Sequence, residues 1–220
     1  MQDVVALSYY PVNLNLVGRR CAVIGGGAVA ERKVLALLAA DAAVTVISPA
    51  VTDGLAALSA AGQITHIARP YWPGAIENFF IVICATDAPA VNRQAAEEGR
   101  AKGALVNVAD APELCDFTVP SQIVRGDLVI TVSTGGKSPA LARRLRQELE
   151  ARYGPEYGLY LAMIGRLRDE MKERLATPRA RECFWRRALD DEALALVKAG
   201  KLQEAEEKIR DAIGGSGAEP

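Results

Sequence analysis

The 220-residue sequence predicts an α/β protein in which a doubly wound parallel sheet precedes a β-hairpin and a helical C-terminal region. The first observation is an apolar run at 21–24 that is followed by three glycines and a helical pattern over 28–40. The second is that short apolar strands and helices alternate up to residue 108, in the order β-α-β-α-β-β-α-β. The third is that the segments after residue 139 have helical periodicity.

Composition argues against several classes of function. Apolar residues make up 50% of the chain, the net charge is −1 and the pI is about 6.0, so a general nucleic-acid binder is not expected. No run is long enough to span a membrane and residues 1–3 lack the basic start of a signal peptide, so we expect a cytoplasmic protein without a membrane partner. The four cysteines have no C-x-x-C spacing, and with the single His66, expected to be structural, they predict no metal site.

The strongest motif follows the first predicted strand. Gly25, Gly27 and Ala30 fit the pattern G-x-G-x-x-G/A, in which the residues permit a tight turn, close approach of a pyrophosphate and close packing of a helix on a sheet. The free N–H groups of the first helical turn and the helix dipole favour phosphate there. The motif predicts a dinucleotide-binding Rossmann unit, and the alternative is a structural turn that binds nothing. The charged residues at 31–33 are expected on a solvated face.

The end of the second predicted strand, 44–48, bears on the choice of dinucleotide. An NAD-binding unit usually carries an acid there for the ribose, whereas this chain has Ser48, Pro49 and Ala50, and Asp53 comes several residues late. No arginine or lysine stands there to pair with a 2′-phosphate. We therefore expect NAD rather than NADP.

The remaining segments of this first region are, in order, a predicted helix at 51–60, predicted strands at 63–68 and 79–85, a helix at 90–102 and a strand at 105–108. Thr86 and Asp87 follow the third of these segments, a buried strand, and Asp110 follows the last. All three residues are expected at the carboxyl ends of parallel strands, where open α/β sheets bind ligands.

A different pattern begins after residue 115. Strands at 116–120 and 127–132 predict a hairpin outside the parallel sheet, and Ser138 is expected to cap a basic helix over 140–152 with Pro139 as its first residue. The turn before this helix suits an anion, although an ordinary capped loop is an equal alternative. Further helices are predicted around 159–171, 181–189, 191–198 and 202–213, and a disordered tail at 214–220.

Five motifs occur together and in order: GGGAVAERK at 25–33, ATD at 85–87, NVAD at 107–110, CDF at 115–117 with Pro120, and STGGKSP at 133–139. Together they resemble the precorrin-2 dehydrogenase / sirohydrochlorin ferrochelatase family of siroheme-synthesis enzymes, over about residues 8–175. No methyltransferase module follows, so we expect the stand-alone form. The resemblance implies an NAD-binding Rossmann domain at 1–112, a dimerisation region at 113–150 and a helical C-terminal region at 151–220, in a homodimer.

The resemblance also implies an activity. NAD⁺ would take a hydride from precorrin-2, a polycarboxylate macrocycle, to give sirohydrochlorin, and many members then insert Fe²⁺ to give siroheme. Asp110 matches the family's catalytic aspartate. The implied cofactor contacts are Gly25, Gly27, Ala28, Val29, Pro49, Ala50, Thr86 and Asn107. The implied partners of the anionic substrate are Thr134, Gly135, Gly136, Lys137 and Ser138.

Three alternatives remain open at the level of sequence. Asp116 is a rival to Asp110 as the general base. The chain could be a dehydrogenase without chelatase activity. It could also be a non-catalytic NAD-sensing Rossmann module, which would need neither a general base nor an anion-binding loop.

Overall fold

The structure is a computed structural model that describes residues 9–212. The chain divides into two compact units, Met1–Val119 and Pro120–Pro220. The tail at 214–220, expected to be disordered, and the residues at 1–3 that bear on a signal peptide both lie outside the described residues.

A five-stranded parallel sheet forms the first unit. Its strands are β1 (Arg20–Ile24), β2 (Ala43–Ile47), β3 (Ile64–Ile67), β4 (Ile81–Cys84) and β5 (Leu105–Val108). Their spatial order is β3-β2-β1-β4-β5, so the direction of winding reverses between β1 and β4. This confirms the predicted doubly wound α/β sheet, in which ligands bind beside the carboxyl ends of the strands at the reversal point.

Helices cover both faces of this sheet: α1 (Ala28–Leu38), α2 (Asp53–Ala60) and α3 (Pro89–Ala101). Successive residues of β1 point to opposite faces, because a strand has a period of two. Val23 therefore packs with Ala30 and Val34 of α1, whereas Ala22 packs with Ala95 of α3. The continuous apolar runs seen in the sequence are explained by burial on both faces.

Glu98 of α3 anchors the loop that connects β3 to β4. Its carboxylate accepts hydrogen bonds from the Tyr71 hydroxyl, from N–H of Ile76 at 2.7 Å and from N–H of Gly74 at 3.1 Å. Partial desolvation works to raise the pKa of Glu98, but these hydrogen bonds outweigh it and hold that pKa below its ordinary value. Ile76 is thereby held in the core, where it is fully buried.

The second unit begins with a two-stranded antiparallel hairpin, β6 (Ser121–Arg125) and β7 (Leu128–Val132). The predicted first strand at 116–120 is wrong, because that segment is a loop and β6 is formed by residues 121–125, which lie between the two predicted strands. Gly126, with a φ of +57°, and Asp127 make the turn. Asp116 accepts a hydrogen bond from Val106 N–H of β5, and Phe117 packs against the core beneath α1.

Five helices complete the described chain: α4 (Pro139–Arg152), α5 (Glu156–Arg174), α6 (Pro178–Ala188), α7 (Asp191–Lys198) and α8 (Leu202–Asp211). The last four enclose a core of their own, which includes Met163, Leu167, Phe184 and Ile209. The predicted helical C-terminal region is confirmed. Among residues 9–212, no helix combines the length and apolar character needed to cross a bilayer.

Candidate functional site

The glycine turn after β1 contains two glycines that packing requires. Gly25 has a φ of +120°, and a β-carbon on it would lie 2.3 Å from the carbonyl oxygen of Ala85. A β-carbon on Gly26 would lie 2.1 Å from the carbonyl oxygen of Ala50. Gly26 occupies a variable position of the G-x-G-x-x-G/A pattern, so the motif gave no reason to single it out.

Gly27 is different, because the space around it is open. It is the N-cap of α1 with extended backbone (φ −81°, ψ −175°), and a β-carbon there would meet no described atom within 4 Å. Within the described residues no side chain caps this end of α1. The first N–H groups of a helix lack intrahelical partners, so the exposed start of α1 at Ala28 and Val29 can receive a phosphate. The turn therefore fits the pyrophosphate of a dinucleotide.

The loop between β2 and α2 packs on the glycine turn. Thr52 N–H donates to the carbonyl of Gly26 at 3.0 Å, and the Ser48 hydroxyl donates to the carbonyl of Ala50 at 2.6 Å. Pro49 and Ala50 are exposed beside the turn. Because the Ser48 side chain is engaged and buried, the loop offers mainly backbone to a ribose. His66 contacts the carbonyl of Ser48 through Nε2 at 2.9 Å, which is a structural role.

Thr86 follows β4 and is held by Asn92 of α3. The carbonyl oxygen of the Asn92 side chain accepts from Thr86 N–H at 3.1 Å and from its hydroxyl at 2.7 Å, while Asn92 Nδ2 donates to the Thr86 carbonyl at 2.9 Å. Asn92 is nearly buried. Sequence analysis missed Asn92, whose only signal was a polar residue in the first turns of an otherwise apolar helix face.

Asn107 and Asp110 lie on β5 and just beyond its end. Asn107 is nearly buried, and its Nδ2 donates to the carbonyl of Phe117 at 3.0 Å. Asp110 is exposed and has a φ of +59°, a left-handed conformation that aspartate adopts more readily than most residues. The Cys115 thiol, a motif residue to which the sequence analysis gave no role, joins the loop to β5 by accepting a hydrogen bond from Val108 N–H at 3.1 Å. The turn that carries Asp110 is thus fixed from both sides.

Asp116, the rival carboxylate, has a structural role. Its Oδ1 accepts from Arg100 Nε at 2.8 Å, and its Oδ2 accepts from Val106 N–H at 2.9 Å. Both oxygens are occupied in holding the loop to α3 and β5. This arrangement favours Asp110 over Asp116 as a base.

The turn at 134–138, in the second unit, uses much of its polar surface for its own structure. The Thr134 hydroxyl accepts from Ser138 N–H and donates to the Ser138 carbonyl, both at 3.1 Å. Ser138 Oγ accepts from Leu141 N–H at 3.2 Å, which confirms Ser138 as the N-cap. Gly135 and Gly136 both have positive φ, and Lys137 is exposed. Gly135 N–H donates to Ser133 Oγ at 3.2 Å and Lys137 N–H donates to the Thr134 carbonyl at 3.1 Å, so the turn offers an anion mainly the Lys137 ammonium and the N–H of Gly136.

The structure gathers most of the predicted site at the carboxyl edge of one sheet. These residues are Gly25, Gly27, Ala28, Val29, Pro49, Ala50, Thr86, Asn107 and Asp110. The five residues predicted to bind substrate belong to the second unit. Within the described residues, no group of three or more His, Cys, Asp or Glu side chains could hold a metal ion.

Comparison with known families defines the class of the first unit. A family model described as putative NAD(P)-binding matches residues 12–121, so the first unit is an NAD(P)-binding Rossmann domain, in agreement with the expected cofactor, NAD. Two further models match the rest of the chain: "Sirohaem biosynthesis protein central" at 125–152 and "Sirohaem synthase dimerisation region" at 156–213. The chain belongs to the siroheme-synthesis family of precorrin-2 dehydrogenases and sirohydrochlorin ferrochelatases, as the resemblance predicted.

Individual relatives agree with this assignment. The siroheme synthase of Nitrosococcus oceani is 39% identical over 209 residues, which are 95% of this chain and 45% of the relative. That of Methylobacillus flagellatus is 38% identical over 94% of this chain and 44% of its own length. A solved structure described as SirC, precorrin-2 dehydrogenase, superposes with a TM-score of 0.77 and 27% identity, covering 90% of this chain and all of that one. The chain spans less than half the length of these two siroheme synthases.

The matched models also bear on the expected domains. The model described as a dimerisation region covers 156–213, C-terminal to the segment 113–150 that sequence analysis expects to form the interface. The segment that forms the interface stays a prediction.

Proposed function

We propose that this chain oxidises precorrin-2 to sirohydrochlorin, with NAD⁺ as the hydride acceptor. The observation that carries the proposal is that one sheet edge presents both an open phosphate site at Gly27 and an exposed carboxylate at Asp110. The names of the relatives, siroheme synthase and precorrin-2 dehydrogenase, support the same reaction.

In this proposal the residues of the carboxyl edge hold the dinucleotide. The N–H groups at the start of α1, beyond Gly27, bind the pyrophosphate. Backbone groups of Pro49 and Ala50 contact the ribose, and the nicotinamide is expected beside Thr86, which follows β4, and Asn107 on β5. NAD⁺, when bound, supplies a two-electron acceptor that takes a hydride. Because residues 48–52 contain no cationic side chain to pair with a 2′-phosphate, we propose NAD over NADP.

Asp110 supplies the acid–base chemistry. Conversion of precorrin-2 to sirohydrochlorin removes one hydride and one proton, so a base must accept the proton as the hydride leaves. A carboxylate on a fixed turn can do this without rearranging the sheet edge. The hydrogen bonds of Cys115 and Asn107 hold this turn in place.

The substrate is a polycarboxylate, and the turn at 134–138 supplies matching charge. Lys137 is exposed at the beginning of α4, where the positive end of the helix dipole adds to its charge. We propose that Lys137 and the N–H of Gly136 bind carboxylates of the macrocycle, while Thr134, Gly135 and Ser138 hold the turn in shape.

Insertion of Fe²⁺ into sirohydrochlorin is the second activity that we propose. It requires two pyrrole N–H protons to leave as the metal ion enters, and the exposed Asp110 would accept them one at a time and release each to solvent. The macrocycle nitrogens would bind the substrate metal, so this step needs no cluster of protein ligands.

We further propose a homodimer. Val124 and Val129 lie opposite each other on the hairpin, and each is 49% exposed. An exposed apolar pair on a two-stranded sheet favours contact with a second surface.

The proposal is tested by incubating the chain with precorrin-2 and NAD⁺ and recording absorption spectra, before and after Fe²⁺ is added. We expect sirohydrochlorin and NADH in equal amounts, followed by siroheme. Sirohydrochlorin without faster metal insertion than in a protein-free control would identify a dehydrogenase alone. Tight NAD binding without turnover would instead support the NAD-sensing module.

A further inference from the structure

Lys33 of α1 is not on the solvated face that sequence analysis expects. It is partly buried, whereas its neighbour Arg32 is exposed. Lys33 comes directly before Val34 and three residues after Ala30, both of which are fully buried against the sheet. The side chain therefore begins at the margin of the helix face that packs on the core.

The position of Glu31 shows on which side of α1 the Lys33 side chain lies. A β-carbon on Gly54, in the first turn of α2, would lie 2.1 Å from the Glu31 carboxylate, so Glu31 faces α2. Lys33 is two residues further on and so lies about 200° around the helix from Glu31. It therefore faces away from α2, on the β4 and β5 side of the sheet.

The segment after β5 returns to this same side. Leu105 and Phe117 pack with the core beneath α1, whereas Val106 and Val108 pack on the opposite face. Asn107 consequently points to the α1 face, where its amide donates to the carbonyl of Phe117. Asp110 is the second residue after β5 and so lies on the β4 and β5 side that Lys33 faces, whereas Ala111, Leu114 and Cys115 of the same loop pack on the opposite face of the sheet.

The electrostatics agree with this placement. Burial lowers the pKa of Lys33, and the charge of Arg32 acts in the same direction, while Cys115 and Asp110 both act to raise it. Among the described residues no ion pair within 4.0 Å joins Lys33 to Asp110, so this attraction acts over a longer distance. Asp116, on the same loop, is occupied by Arg100.

We propose that Lys33 is a positioning residue for the reaction, and that its ammonium orients the Asp110 carboxylate at the edge of the sheet. Asp110 is exposed on a left-handed turn, so its side chain needs a partner to favour one orientation. A half-buried cation on a rigid helix is such a partner, and its attraction is screened less than that of a surface charge. The inference rests on the proposed function of Asp110.

The test is a double-mutant cycle on steady-state oxidation of precorrin-2, using Lys33→Met, Asp110→Asn and the double variant. Lys33→Met should lower kcat about tenfold with little change in KM, and Lys33→Arg should restore most of it. In the Asp110→Asn background, Lys33→Met should have no further effect, since it acts through that carboxylate. Arg32→Met removes the neighbouring exposed charge and should leave kcat unchanged.

Other outcomes distinguish a failure of the role inferred for Lys33 from a failure of the function proposed for Asp110. If Asp110→Asn is impaired and Lys33→Met lowers kcat by the same factor in both backgrounds, Lys33 acts independently and the inference is wrong. If Asp110→Asn is fully active, the proposed function of Asp110 fails instead. The melting temperature and the NAD affinity of each variant show whether a lower kcat reflects a loss of folding or of cofactor binding. If either loss explains the lower kcat of Lys33→Met, the inference is wrong. It is also wrong if Lys33→Arg does not restore kcat.

Discussion

Gly26 and the carbonyl oxygen of Ala50 are in direct contact: a β-carbon on Gly26 would lie only 2.1 Å from that oxygen. A β-carbon on the neighbouring Gly27 would meet no described atom within 4 Å. One glycine of the turn is thus needed for the fold and the next is free for a ligand. The pair allows folding and binding to be tested separately.

Gly26→Ala should destabilise the first unit. The added carbon would also lie 2.8 Å from Ser48 Oγ, so the loop at 48–52 must move. Forced overpacking of this kind costs about 1–3 kcal/mol. Thermal unfolding with and without NAD⁺ measures the loss, and an unchanged melting temperature would contradict the contact.

Gly27→Asp should leave the fold intact and abolish NAD binding. The backbone at Gly27 is extended and a side chain there meets no described atom within 4 Å, so little strain is expected. A negative charge at the start of α1 would repel the pyrophosphate and obstruct its approach. Calorimetric titration measures the affinity. Retained binding would show that this turn is not the phosphate site.

Glu98→Gln should weaken folding in a pH-dependent way. Because hydrogen bonds hold the pKa of Glu98 below its ordinary value of 4.5, its stabilisation is fully present above that pH and is lost as the pH falls through the folded-state pKa. Near pH 7 the variant should lose about 1–3 kcal/mol, as expected for hydrogen bonds to a charged group. The difference from wild type should shrink below about pH 4. Urea unfolding at several pH values measures it.

The neighbouring Glu97 is exposed on the same helix and serves as the matched control. Glu97→Gln should change the free energy of unfolding little at any pH. An equal effect of the two substitutions would contradict the role given to Glu98 in anchoring the loop.

The chain should be a homodimer that the hairpin helps to form. Placing aspartate at both Val124 and Val129 puts charge on an exposed apolar pair, so it should shift the protein to monomer in light scattering. Val17→Asp, at a site 67% exposed in the first unit, should have no such effect. A wild-type monomer at micromolar concentration would defeat this prediction.

Much of the Rossmann domain could be predicted because its signals are local. An apolar run, a glycine turn and a helical period define each β-α step, and the glycine spacing identifies the phosphate site without any long-range information. Ser138 was recognisable as a helix cap for the same reason, since its partner is the N–H of Leu141, three residues away.

The errors and omissions of the sequence analysis arise where contacts between residues far apart in the sequence determine the local structure. The residues at 116–120 have strand-like composition, but Asp116 is held by Arg100, sixteen residues away, and the hairpin begins later. Asn92 is paired with the loop residue Thr86, so its role is not visible in local spacing. The expectation that Lys33 lies on a solvated face is wrong, because Lys33 is partly buried next to the fully buried Val34.

The most direct test of the account is the rate of precorrin-2 oxidation by Asp110→Ala, measured beside Asp116→Ala and wild type. Asp110 is exposed on a turn, so its loss should leave folding and NAD affinity nearly unchanged. Turnover should fall by about 10²–10⁴-fold, the usual contribution of a positioned acid–base group. Asp116→Ala should mainly lower stability, since its carboxylate pairs with Arg100 and Val106. Near-normal turnover by Asp110→Ala would contradict the central claim.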